Sequence, residues 1–472
     1  MRKERKYLIM MRSLFSGVSG LKSHQTRMDV IGNNIANVNT TGFKSSRTTF
    51  ADTLSQTLSG ASAPQDNLGG TNPKQIGLGT GVASIDLLFT DGSVQSTGKN
   101  TDLCLSGNGL FVVKQGNQTY YTRDGAFEFD SEGNYVLPSS GLYVQGWTAT
   151  DGVLNTSSAV GNITIPAGKS MAAAATTKGT YANNLNASVP TITKVNGGTT
   201  AVTVDGTTTK SATIELSDGT TVTETKNGTY TVGESLPVTT TLTVYDSLGV
   251  AHSVPVYFTK TKTGTGTATA DGNEWTLSVE PSITEADGST TTVKLDKAVT
   301  LKFQTDGKYN SGEGTATLTL QNGSNASQAV TLDFSKITQY AGKSTINGTT
   351  DGNAAGTLSS VSVDSSGTIT GTYTNGVKQT EAQVAVAQFT NASGLMKTGN
   401  SLYQESNNSG TANVKTASDL GVTITPSALE MSNVDIANEF SDMIITQRGF
   451  QSNSKIITVG DEMLETLINM KR

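Results

Sequence analysis

The tightest constraint on how this chain can fold is the mismatch between its ends and its middle. Residues 12–38 set Leu14, Val18, Leu21, Gln25, Met28, Ile31, Ile35 and Val38 at the three-and-four spacing that lines up one helix face. Residues 434–468 repeat the pattern with Ile436, Phe440, Met443, Gln447, Phe450, Ser454, Ile457, Leu464 and Ile468. Between them the chain is dominated by Thr, Gly, Ser, Asn and Val, the residues of strands and turns. Two amphipathic helices separated in this way have no core of their own. They are expected to bury their seams against each other and against neighbouring copies, which points to a protein that assembles.

The chain has 472 residues, too many for one core, so two to four domains are expected. Hydrophobic residues make up 35% and charged residues 15%, and the small polar remainder reads as an extracellular β protein. A net charge of -6 without a basic stripe argues against nucleic-acid binding. No apolar run approaches the ~20 residues of a membrane span.

Cys104 is the only cysteine, so no internal disulfide framework exists. Within Asp102-Leu103-Cys104-Leu105 it reads as a small buried hydrophobe, with an inter-subunit cross-link as the alternative. The first ten residues resemble a secretory n-region, but Tyr7 to Met11 is too short for the apolar part and no small-residue cleavage site follows. They read as an overhang ahead of a start at Met10 or Met11, and export without a cleaved signal is expected.

Gly17, Gly20 and Gly32 each weaken the first helix by roughly 1 kcal/mol against Ala, and are expected to allow close approach to a neighbour. Turn formers end it near Asn37. Residues 43–71, with Phe50, Leu54 and Leu58, read as an extended or partly helical connector. From 76 to 165, short alternating runs separated by Gly, Asn and Asp read as hairpins, such as Leu110 to Val113, then Gly116-Asn117, then Tyr120 to Thr122. Residues 168–358 are Thr/Gly-rich, with one clear hairpin on either side of Asp246-Ser247-Leu248-Gly249. Residues 359–424 return to the denser style, with Val384 to Phe389 as a buried strand.

The fold class expected is mainly β with α-helical termini and nested discontinuous domains. Residues 1–71 and 425–472 form a terminal helical assembly domain plus connector. Residues 72–167 and 359–424 form an inner β domain, into which an outer β domain, 168–358, is inserted.

Catalytic patterns fail. His24 and His252 lie on a helix and in a hairpin, which offers no metal pair, and His24 reads as a polar helix-face residue. No Gly-x-Ser-x-Gly elbow occurs. Gly168-Lys169-Ser170 and Gly342-Lys343-Ser344 lack the first glycine of a phosphate loop, since Ile163 and Ile337 stand there. Gly77 to Val82 lacks the last glycine of a dinucleotide loop and precedes a strand. Asp130-Ser131-Glu132-Gly133-Asn134 reads as a hairpin turn, because a calcium loop needs a later glycine and a closing Glu. No catalytic, metal or cofactor residue is assigned.

Ser13-Leu14-Phe15-Ser16-Gly17-Val18-Ser19-Gly20-Leu21, Met28 to Asn37 and Thr41-Gly42-Phe43-Lys44 resemble the N-terminal signature of bacterial flagellar rod and hook proteins. Ala428-Leu429-Glu430-Met431-Ser432-Asn433-Val434-Asp435 and Met443 to Asn453 resemble the C-terminal counterpart. Leu110 to Val113, Tyr121-Thr122-Arg123-Asp124-Gly125 and Gly133 to Val136 are similar to the β domain these proteins share. Val244 to Gly249 and Asn273-Glu274-Trp275 are similar to the outer domain of hook members.

The resemblance implies a subunit of a curved hollow tube outside the cell, a universal joint between motor rod and filament. Its inner layer would be the paired helices, through Leu14, Val18, Leu21, Met28, Ile31, Asn33, Asn34, Ile35, Gly42 and Phe43 at one end. Ile436, Phe440, Met443, Gln447, Phe450, Ile457, Leu464 and Ile468 would serve at the other. Implied partners are copies of the chain, the rod protein, the hook–filament junction protein, the hook cap and the flagellar type III export apparatus. A distal rod or junction protein is the neighbouring reading, although rod members are expected to be shorter and to lack the insertion. A secreted β-rich adhesin or glycan-active enzyme is the reading from another class.

Overall fold

The computed structural model describes residues 2–64, 69–205, 208–266, 272–285, 288, 290–320 and 322–470. It is mainly β, with one long helix at each end. The chain divides into two compact units. One comprises residues 1–169, 359–372 and 378–472, the other 170–358 and 373–377.

In the first unit, α1 spans Arg2–Ala36. It therefore begins inside the segment read as an overhang; Met1 and the side chains through Met11 lie outside the described residues. The Asn37 N–H closes the last turn on the Asn33 and Asn34 carbonyls, and Gly42 then turns the chain at φ +63°. The connector that follows is not helical. Ser46–Asp52 pairs antiparallel with Thr80–Leu87, and Ser55–Ser59 pairs with Lys74–Gly77, making one long hairpin. Its β-formers Thr48, Thr49 and Phe50 find their partners some way down the chain, beyond any local signal.

The main sheet of this unit runs in the order Thr368–Tyr373, Lys378–Val384, Leu142–Thr148, Leu110–Gln115, Gln118–Thr122, Leu402–Gln404, Met396–Gly399. Gln115 pairs with Gln118, so Gly116-Asn117 is a two-residue hairpin turn, with Gly116 at φ +58°. The Asp130 carboxylate accepts the N–H groups of Glu132 and Asn134 and closes the next hairpin. Thr423–Pro426 pairs with Leu103–Ser106, and Ala428–Glu430 with Val94–Ser96, tying the late chain to the early one. Then α2 spans Ile436–Asn469, its N-terminus capped by the Asp435 carboxylate on the Ala437 and Asn438 N–H groups.

The second unit is a sandwich. A six-stranded sheet, including Lys178–Asn186 and Ser327–Tyr340 in parallel, faces a five-stranded one that includes Val238–Tyr245, Ala251–Lys262 and Glu274–Val279. Tyr181, Leu242, Phe258, Trp275 and Phe334 fill the space between. Ser327–Tyr340 alternates exposed and buried positions over most of its length, as a half-buried strand should. Ile192, Val195, Val204, Ala212, Ile214 and Tyr230 form a separate small core under the remaining short strands.

Candidate assembly surface

The terminal helices pack antiparallel, and the predicted seams supply only part of the contact. Along α1 in reverse, Asn34 meets Glu439, Arg27 meets Asp442, His24 meets Gly449, Gly20 meets Asn453 and Leu14 meets Gly460. The Asn34 amide donates to Glu439 at 3.0 Å, and Arg27 pairs with Asp442 at 3.1 Å. Burial raises the Glu439 pKa. Beyond these ties, side chains of one helix fill glycine notches on the other. A Cβ on Gly20 would lie 2.8 Å from Asn453, one on Gly449 2.7 Å from His24, and one on Gly460 2.7 Å from Leu14. Gly17 approaches Asn453 and Ile457 in the same way, but Gly32 faces open space.

Of the expected seam, Ile31 is buried at 3% exposure, as are Asn34, Gly42 and Phe43. Leu14, Leu21, Met28, Ile35, Met443, Ile457 and Leu464 are half-buried. Val18, Asn33, Ile436, Phe440, Gln447, Phe450 and Ile468 are exposed, Phe440 at 50% and Ile468 at 65%. The buried positions of α1 are Gly17, Gly20, Ser23, Ile31 and Asn34, of which Gly17, Gly20 and Asn34 meet α2 while Ser23 donates to the Thr80 carbonyl of the hairpin. Phe15 on α1, with Ile444, Ile445, Ile456, Val459 and Met463 on α2, joins the exposed apolar surface. Two helices that meet through glycine and polar contacts leave their large apolar side chains outward.

At the foot of the helices, three segments converge on one carboxylate. Glu430 accepts from Lys44 at 2.6 Å, Arg123 at 3.1 Å and the Gly92 N–H at 2.8 Å. Lys44 also donates to the Thr90 carbonyl, and Arg123 to the Leu105 and Gly107 carbonyls. Burial first, then the Arg123 charge, lowers the Lys44 pKa. Alongside, Asn433 accepts the Ser45 N–H and donates to Leu88 and Thr90, while Asn34 exchanges two hydrogen bonds with Ser46. Gly42 is required here, because a Cβ would lie 2.4 Å from the Asp124 nitrogen. The cluster joins three motifs quoted above, but opposite charges this far apart in sequence leave no local pattern by which to pair them.

The remaining singled-out residues are structural. Cys104 is buried in a strand, and burial pushes its thiol up to about 11. His252 is buried between Glu285 at 2.8 Å and Asp246 at 3.3 Å. Among the described residues no cluster suited to a metal ion is found.

Four family models match the chain. "Flagella basal body rod protein" matches residues 14–44 and "Flagellar hook protein FlgE/F/G D1 domain" 104–185. "Flagellar basal body protein FlaE D2 domain" matches 218–353 and "Flagellar basal body rod FlgEFG protein C-terminal" 425–470. The chain is 39% identical to the flagellar hook protein FlgE of Treponema pallidum and 38% to that of Borreliella burgdorferi. Each alignment covers 98% of this chain and 100% of the relative. The flagellar basal-body rod protein FlgG of Bacillus subtilis aligns at 29% identity, with the same coverage. The rod relative thus aligns from one end of this chain to the other, at lower identity than the hook relatives. With two relatives above 30% identity matched along their whole length, this chain belongs to the flagellar hook protein FlgE family.

Proposed function

We propose that this chain is the structural subunit of the flagellar hook and polymerises through its paired terminal helices into a curved hollow tube, the universal joint between rod and filament. The observation that carries the reading is the outward apolar surface of α2, on which Phe440, Ile444, Ile445, Ile456 and Met463 stay about half exposed within one chain. An exposed apolar surface of this kind marks a contact with another molecule, and copies of the chain are the natural cover. Deleting residues 436–470 is expected to abolish tube formation while both Trp-containing units still unfold cooperatively. Tubes formed by the truncated chain would overturn the reading.

The domain plan follows: helices as inner layer, the 72–167 and 359–424 β region as middle layer, and 168–358 as outer layer. The subunit is non-enzymatic, exported through the flagellar type III apparatus, and bordered by the rod, junction and cap proteins. The FlgG alignment favours a distal rod as the second reading. Electron microscopy of a deletion strain separates the cases: rods without hooks support a hook subunit, and truncated rods support a rod subunit. Hooks without filaments would make it a junction protein. Specific hydrolase or glycan-binding activity in a screen would revive the enzyme or adhesin reading.

A further inference from the structure

His24 on α1 faces Gly449 on α2. A Cβ on Gly449 would lie 2.7 Å from its ring, so the imidazole fills the space that Gly449 leaves. On another side the Phe50 ring packs edge-on with centroids 6.0 Å apart, and the Arg27 guanidinium covers Phe50 at 6.0 Å. His24 Nδ1 is sealed from solvent and has no hydrogen-bond partner among the described residues.

The charged groups around it offer no counter-ion. Arg27, one turn along α1, carries the same charge as an imidazolium, and the facing α2 carboxylate, Asp442, is engaged by Arg27. Arg448, beside Gly449, donates to Gln451 on its own helix. On the hairpin that carries Phe50, Arg47 is paired with Asp86. A neutral imidazole leaves only a weak acceptor unmet. A second proton would put a donor and a charge into a site with no acceptor and a nearby cation.

We infer that His24 is a pH-sensitive catch between the terminal helices: neutral, it seats in the Gly449 notch, and protonated, it releases α2. Burial, then Arg27, lowers the His24 pKa in the folded chain. A base held below its unfolded value contributes full stability above about pH 6.5, and that stability is lost as the pH falls and the unfolded form takes up the proton first.

The test places spin labels on the full chain at two exposed positions, Lys22→Cys on α1 and Gln451→Cys on α2, and reads their separation by pulsed electron resonance. At about pH 7.5 a single narrow distance is expected, and at about pH 5 a longer, broader one. In His24→Gln and His24→Phe backgrounds, neither of which can take the proton, the narrow distance is expected at both pH values. A distance that stays narrow at low pH in the parent, one already broad at high pH, or equal broadening in both variants would each overturn the catch.

Discussion

Arg123 Nη1 lies 3.1 Å from Glu430 Oε2, 307 residues away along the chain, and both side chains are 1% exposed. Lys44 reaches the other oxygen of the same carboxylate. Removing one partner of a buried charge group leaves the others uncompensated, at a penalty of about 3–5 kcal/mol. Glu430→Ala leaves Lys44 without a carboxylate and Arg123 with only the outer Asp91 at 3.5 Å, so it is expected to destabilise the first unit by about that much. Lys44→Met leaves the Arg123–Glu430 pair intact and is expected to do less. Urea unfolding followed by Trp147 fluorescence in a Trp275→Phe background reads this unit alone, since the chain has two tryptophans.

The helix glycines separate by sign. Gly20→Ala gains up to ~1 kcal/mol of helix propensity but forces a methyl onto Asn453, and overpacking costs about 1–3 kcal/mol. Gly32→Ala meets nothing within 4 Å and should keep the propensity gain. Thermal melts of helical circular dichroism are expected to shift down for Gly20→Ala and up for Gly32→Ala. Two shifts of the same sign would contradict the notch packing.

In the second unit, Asp246 is fully buried and accepts from Leu248 N–H, Val250 N–H and the Asn322 amide, with His252 at 3.3 Å. Burial pushes its pKa up, but these hydrogen bonds outweigh it and hold the carboxylate below the ordinary value. A carboxylate held down contributes stability above about pH 4, lost as the pH falls through its folded value. Asp246→Asn is expected to lose about 1–3 kcal/mol at pH 7 and to flatten the acid limb. Trp275 fluorescence in a Trp147→Phe background, followed from pH 7 to 3, measures both.

Cys104 is 1% exposed, with its thiol pushed up to about 11, so little thiolate forms at neutral pH. In native protein it should react with a disulfide reagent on the order of a hundredfold more slowly than in urea. Non-reducing gels should show no linked dimers; a dimer band would restore the cross-link reading.

Helix position, the Gly116-Asn117 and Asp246 turns, and the β character of the middle were legible because each is a local pattern of period or turn chemistry. The mated helix face was legible in part. Gly17 and Gly20 are expected from the sequence to be points of close approach and are, whereas apolar spacing marks where large side chains lie and does not point to Gly449 and Gly460. The hairpin from Ser46 was missed because its returning arm, Lys74–Gly77 and then Thr80–Leu87, comes only after a polar stretch. Lys44, Arg123 and Glu430 were visible as motif letters, but which charge meets which is decided by the fold.

The antiparallel pairing of α1 with α2 makes the first part of the chain wait for the last. During synthesis or passage through a narrow channel, α1 emerges long before its partner. Closing a flexible loop of this length would cost about 5 kcal/mol in chain entropy. The junction at Glu430 removes most of that cost, because it brings the chain at Lys44 and at Glu430 to within a hydrogen bond of each other. Helix pairing thereby becomes a short-range event gated by the β fold. A chain interrupted before Glu430 would carry a folded sheet and an N-terminal helix with nothing to meet it.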